Sequence, residues 1–203
     1  MKTSLYLLII AVFFLITTAC DNGNKQVQVV GSGPVVNKSL DLSAFTKIEN
    51  TGVANFYITI GSPQSVVLSA QQNIMDVMTY EVREQTLIVG VKENVSIGNH
   101  EEIRFDITIP SIGKIELIGV GDFELSGDEQ DELVIILMGV GTVKAFDMEV
   151  GTCIITSTGV GNCEVYVLDE LTVTISGVGN VYYKGNPTIN STITGLGQLI
   201  NAN

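Results

Sequence analysis

Five times between residues 117 and 201 the chain writes a glycine, one branched apolar residue and a second glycine: LIGVGDFEL, LMGVGTVKA, STGVGNCEV, ISGVGNVYY and ITGLGQLIN. The first glycines, Gly119, Gly139, Gly159, Gly177 and Gly195, stand 20, 20, 18 and 18 residues apart. Recurrence at this period marks stacked supersecondary units. A repeat must reproduce its buried face as well as its punctuation, and this one does. Four residues before each motif stand Ile115, Ile135, Ile155, Val173 and Ser191; two before stand Leu117, Leu137, Ser157, Ile175 and Ile193. After each motif an inward column reads Phe123, Val143, Cys163, Val181 and Leu199, and the column between, Glu124, Lys144, Glu164 and Tyr182, is mostly polar. This is the two-residue period of strands with one buried face.

Two strands per repeat and no helical period predict an all-β fold, a single-domain parallel β-helix (solenoid). Its upstream strands are expected to close the N-terminal end, and a β-sandwich is the alternative. The structural corners are Gly119, Gly121, Gly139, Gly141, Gly159, Gly161, Gly177, Gly179, Gly195 and Gly197. Lacking Cβ, glycine bends sharply and lets neighbouring strands approach closely. The middle residue, Val120, Val140, Val160, Val178 or Leu196, is expected to turn inward, since burying a valine gains ~1.5–3 kcal/mol. Strict alternation places it outside instead, as an apolar ladder open to binding.

The N-terminus belongs to another process. Lys2 and the apolar run from Leu5 to Ile16 read as a secretory signal over residues 1–19, too short for the ~20 residues of a membrane span. The run ends in LITTAC, which resembles a bacterial lipoprotein signal with Cys20 as the lipidated residue, although Thr17 stands where leucine is usual. An ordinary signal peptide with an incidental cysteine is the alternative. Residues 20–39, poor in large apolar side chains and carrying GSGP, read as a lipid-anchored tether, and 40–203 as the folded domain. The expected location is the cell envelope, at the outer membrane, on its periplasmic or surface face.

Charge and chemistry narrow the function. Twenty-two acidic against ten basic residues give a net charge of −12, which repels nucleic acid and anionic headgroups. Phosphate binding needs a helix after the glycine loop, and here a strand follows each motif. Calcium is the better rival: Asp128, Glu129, Asp131, Asp147, Glu149 and Asp169 lie on successive acidic loops. The position after the second glycine, Asp122, Thr142, Asn162, Asn180 and Gln198, carries one charge only. A single histidine, His100, and the cysteines Cys153 and Cys163 in inward columns offer neither a zinc set nor a Cys/His pair. No cofactor is expected.

The sequence resembles the family of auto-transporter adhesin head GIN domains, exported proteins common in Bacteroidetes. The resemblance covers roughly 45–203 and is carried by FTKIENTGVANFYITIG, LIVGV, IRFDITIPSIGKIELIGVGDFEL and the later Gly-x-Gly repeats. The family more often has Ser or Ala between the glycines, where this chain has Val or Leu. The resemblance implies a β-helical extracytoplasmic module without established catalytic residues.

Three functions follow as expectations. The first is a non-enzymatic envelope lipoprotein, adhesin-like, presenting its surface to a protein or glycan partner. The second is a carbohydrate-binding or carbohydrate-active protein, for which Tyr166, Tyr182 and Tyr183 supply stacking surface. The third is a periplasmic structural protein that self-assembles. The chain stops at Asn203 just after the last motif, so an open strand edge there is expected to pair with another copy or a partner.

Overall fold

The computed structural model describes residues 26–203. The signal segment 1–19 and Cys20 lie outside the described residues. In chain order the elements are β1 (Val27–Val29), β2 (Val35–Ser39), β3 (Lys47–Asn50), β4 (Asn55–Ile60), β5 (Ser65–Gln71), α1 (Gln72–Met75), β6 (Met78–Arg83), β7 (Thr86–Val91), β8 (Val95–Ile97) and β9 (Arg104–Ile109). They continue as β10 (Lys114–Leu117), β11 (Phe123–Gly127), β12 (Gln130–Leu137), β13 (Val143–Ser157), β14 (Cys163–Ile175), β15 (Val181–Lys184), β16 (Thr188–Ile193) and β17 (Leu199–Asn201).

All but β1 and β8 join one 15-stranded sheet, along the path β2-β5-β9-β4-β11-β13-β12-β10-β3-β7-β6, with β14 beside β13, β15 and β16, and β17 beside β15. This corrects the expectation of a parallel β-helix. Such a helix needs every neighbouring pair to run parallel, and here β2–β5, β5–β9 and β6–β7 are antiparallel. The architecture is a curled, open sheet of mixed strands. Nor is it a sandwich, because the only other sheet among the described residues is the two-stranded pair β1–β8.

The sequence period governs part of this sheet. Ile115 pairs with Ile135, Ile135 with Ile155 and Ile155 with Val173, all parallel. Phe123 pairs with Val143, Val143 with Cys163 and Cys163 with Val181. The step from a 20-residue to an 18-residue spacing is absorbed between β13 and β14, where the register shifts between Ala145 and Glu149 and again between Val150 and Thr152. Bulges of this kind take up extra residues without moving the flanking columns.

The period says nothing about chain that does not repeat. The segment NIMDVMTYEVRE forms a helical turn and then a strand: α1 buries Ile74 and Met75, and β6 pairs antiparallel with β7. Within the expected tether, Val27–Val29 pairs with β8 and Val35–Ser39 with β5. The valines of these runs give them the β propensity that outweighs GSGP.

The inner columns of the sheet, that of β16 excepted, form one apolar core, from Phe45 and Ile48 to Val173, Ile175 and Val181. One layer of it is a stack of rings. Phe56 lies between Phe105, at 5.2 Å and 12°, and Phe123, at 4.5 Å and 7°.

Candidate functional site

The glycine pairs build an outward-facing feature. Val53, Val120, Val140, Val160, Val178 and Leu196 are joined side by side by single parallel bridges. Val140 donates from its amide to Gly119 O at 3.0 Å and accepts from Gly121 N at 3.0 Å, and each repeat does the same. The inward expectation for the middle residue is therefore corrected: Val120 and Val178 are 47% exposed, Val140 and Val160 50%, and Leu196 77%. Six residues at the ~4.8 Å strand spacing make a ladder about 24 Å long. Ile118 and Met138, also exposed, widen it on one side, while Thr158, Ser176 and Thr194 make that flank polar farther along.

The reason lies in what the glycines replace. A Cβ at Gly159 would fall inside the van der Waals shell of Gly139 O, and one at Gly161 inside that of Gly141 O. Gly161 also sits at φ 147°, whereas Gly159 does not need positive φ. Carbonyl groups of the preceding repeat thus fill the space that inward side chains would need. The residue between the glycines is pushed out. The same contacts recur at Gly119, Gly121, Gly139, Gly141, Gly177, Gly179, Gly195 and Gly197.

A sixth member precedes the five. Gly52, Val53 and Ala54 occupy the same position, with a Cβ at Gly119 meeting Gly52 O and one at Gly121 meeting Ala54 O. The signal was present: TKIENTGVANF and GKIELIGVGDF share their pattern, and Lys47, Ile48 and Glu49 pair in register with Lys114, Ile115 and Glu116. Asn50 sits where the later repeats carry Leu117 or Leu137. Fully buried, it accepts from Gly52 N at 3.0 Å and donates to Val120 O at 3.1 Å.

Beside the ladder, the polar column pins backbone. Asn55 Oδ1 accepts from Asp122 N at 3.0 Å, Asp122 Oδ1 from Thr142 N at 2.7 Å, Asn162 Oδ1 from Asn180 N at 2.8 Å, and Asn180 Oδ1 from Gln198 N at 3.0 Å. These oxygens serve the stacking of repeats.

The acidic residues do not converge. Asp128, Glu129, Asp131, Asp147, Glu149 and Asp169 are all exposed, and among the described residues no three of His, Cys, Asp or Glu are grouped to hold a metal ion. Three of them, Glu129, Asp147 and Glu149, line a shallow depression of about 330 Å³ with Phe146 and Tyr166. Lys184 Nζ lies 4.3 Å from the centre of the Phe146 ring. Tyr182 accepts from Asn180 Nδ2 at 3.2 Å, and Tyr183 packs on the core.

The remaining reactive groups are occupied or shielded. His100 is exposed, its Nδ1 at 2.6 Å from Glu101 O. Arg83 pairs with Glu81, and Arg104 with Asp106, at 2.5 Å each. Arg104 also lies 3.7 Å over the Tyr57 ring, whose hydroxyl donates to Glu102 at 3.0 Å. Burial, then the bond to Glu102, raises the Tyr57 hydroxyl above its usual range. Cys153 and Cys163 are both free and buried. Burial pushes the Cys153 thiol up to about 12. Cys163 is raised well above its ordinary value, again by burial first and then by Cys153 and Glu164 nearby.

Comparison with known proteins places this geometry. The family profile described as "Putative auto-transporter adhesin, head GIN domain" matches residues 44–137 and 115–187. Among solved structures, a "putative adhesin" from Bacteroides fragilis superposes with a TM-score of 0.60 at 21% identity, over 85% of this chain and 99% of that one. A "Putative lipid binding protein" from Parabacteroides distasonis superposes with a TM-score of 0.50 at 17% identity, over 87% of this chain and 100% of that one. A comparison with curated proteins finds no match.

Proposed function

The chain belongs to the family of auto-transporter adhesin head GIN domains, and from that premise we propose that it is a non-enzymatic, exported envelope protein whose valine ladder is its contact surface. Cys20 is the proposed lipid anchor. No helix among the described residues is long and apolar enough to cross a membrane. The observation that carries the reading is the outward column of Val120, Val140, Val160, Val178 and Leu196. A soluble surface leaves single apolar residues exposed without consequence, but a contiguous apolar stripe marks a contact site. The ladder repeats one chemistry along its length, which suits adhesion over an extended surface and supplies no acid, base or nucleophile at a reacting centre.

The test is adhesion of cells displaying the full chain to immobilised matrix proteins and to apolar surfaces. Val140→Asp together with Val160→Asp places two carboxylates mid-ladder on already exposed positions. Loss of adhesion with an unchanged melting temperature supports the reading. Undiminished adhesion by the doubly substituted protein defeats it.

A second reading rests on the depression that joins Phe146 and Tyr166 to Glu129, Asp147 and Glu149. Aromatic faces beside carboxylates suit saccharide rings, which stack on the former and donate hydroxyls to the latter. Retention on a glycan array that vanishes with Tyr166→Ala and survives the ladder substitutions favours this alternative.

A further inference from the structure

One margin of the sheet, formed by β16 and β17, is built unlike the opposite margin. In β14 the inner column Leu171, Val173 and Ile175 is buried, whereas its continuation in β16 is open, with Ile189 42% and Ile193 40% exposed. Among the described residues no strand covers them. Edge strands are ordinarily blunted by charge, proline or bulges, because unpaired backbone groups template further pairing. The opposite margin follows that rule: β2 carries Lys38, and β6 carries the Glu81–Arg83 ion pair. The β16–β17 margin does not. Residues 185–203 carry no charged side chain, although the chain as a whole carries −12, and β16 and β17 hold their neighbours in unbroken register.

We infer that this margin is the interface between two copies of the chain, related by a two-fold axis through Leu196. Like-charge repulsion, which opposes self-association elsewhere on this acidic surface, is weakest here. Strand direction selects the geometry. The chain runs toward Leu196 in β16 and away from it in β17. A two-fold axis through Leu196 therefore lays β16 of each copy antiparallel beside β17 of the other, with inner columns facing the same shared core. Such an isologous contact closes on itself. Head-to-tail growth has no complete acceptor: on the far margin β6, which ends the ribbon of β16, runs against the repeat strands and is charged, while β2, which ends the ribbon of β17, runs with them and carries Lys38. Leu196, the most exposed large apolar side chain among the described residues, then packs on its own copy. The two ladders join into one stripe of twice the length, whatever the ladder itself binds.

Sedimentation velocity on the exported full chain carrying Cys20→Ser tests this and reads twice the chain mass. Leu196→Lys places two like charges on the axis and returns the mass to that of one chain, with the melting temperature unchanged; Thr194→Lys, beside it and also exposed, does the same. Leu196→Cys forms an interchain disulfide under copper–phenanthroline oxidation, because a residue on the axis meets itself, while Val140→Cys, on the same ladder away from the axis, does not. The inference is overturned by a single-chain mass at every concentration, by assemblies growing beyond two chains, or by cross-linking as efficient at position 140 as at 196.

Discussion

The ring of Phe56 lies 4.5 Å from that of Phe123 and within 7° of parallel to it, though 67 residues separate the two in the chain. Their strands, β4 and β11, pair in parallel register at these residues. Distant chain is thereby joined to the Gly-x-Gly array through one stacked layer. Either Phe56→Ala or Phe123→Ala removes a wholly buried ring, and each costs ~3–5 kcal/mol through lost burial and the cavity left behind. A double-mutant cycle by urea unfolding isolates the ring–ring part, expected at ~0.5–1.5 kcal/mol. Additive losses would show that the stack is two independent burials.

Substitution at the paired glycines separates two physical causes. Gly159→Ala drives a methyl group against Gly139 O, and such overpacking costs ~1–3 kcal/mol. Gly161→Ala meets Gly141 O and in addition forces an L-residue to φ 147°, adding ~1–2 kcal/mol. Thermal melts are expected to order wild type above Gly159→Ala and Gly159→Ala above Gly161→Ala. Equal stability of wild type and Gly159→Ala would mean that the preceding repeat yields at no cost.

The limits of the sequence reading have the same physical origin. Spacing shows which residues recur, so the parallel registers of Ile115, Ile135 and Ile155 were legible. Spacing is silent where the chain runs antiparallel, and β2, β5 and β6 turn the expected solenoid into a mixed sheet. The sixth ladder position is masked in the sequence because Ala54 stands in the place of the second glycine. For Val120 the inward expectation fails and the outward alternative of strict alternation holds, because the competitor for inner space is backbone, namely carbonyl groups such as Gly52 O, and a sequence pattern displays only side chains. The depression around Phe146 and Tyr166 depends on the bulges between β13 and β14, which appear in sequence merely as a change of period.

The two buried thiols give stability an alkaline limb. Unfolded cysteine loses its proton near its ordinary value of 9.0, while burial holds Cys153 neutral to about 12. Between these values the folded chain keeps a proton that the unfolded chain has released. Stability is therefore full below 9.0 and falls as pH rises toward about 12, by ~1.4 kcal/mol per pH unit for each thiol so shifted. Urea unfolding of wild type and of Cys153→Ala/Cys163→Ala, at about pH 8 and about pH 10.5, reads the effect as a smaller loss in the double variant. At neutral pH the same burial predicts that neither thiol reacts with a maleimide until denaturant is added.

Calcium is expected to leave the protein unchanged. Asp128, Glu129, Asp131, Asp147, Glu149 and Asp169 all face solvent, and among the described residues none joins a group of three potential ligands. A Ca²⁺ site draws six to eight oxygens together. Melting curves with and without millimolar calcium should superimpose; a rise in melting temperature abolished by Asp147→Asn would place a site on these loops.

The ladder itself makes a graded prediction, because its members differ in position and share one chemistry. Val140 and Val160 are central and half exposed, and each is held by its own backbone through bonds of about 3.0 Å to neighbouring repeats. Their side chains contribute little to the core, so Val160→Thr, which keeps the branched shape and adds a hydroxyl, should shift stability by less than ~0.5 kcal/mol, as surface changes do. The interaction is another matter. If the stripe binds by removing apolar area from water at ~25 cal/mol per Å², each valine converted to threonine weakens binding by a similar step, and substitutions at Val140, Val160 and Val178 accumulate. Titration of single, double and triple variants against the adhesion assay measures that slope. A loss confined to one position, with the others silent, would point to a localised pocket in place of an extended apolar contact.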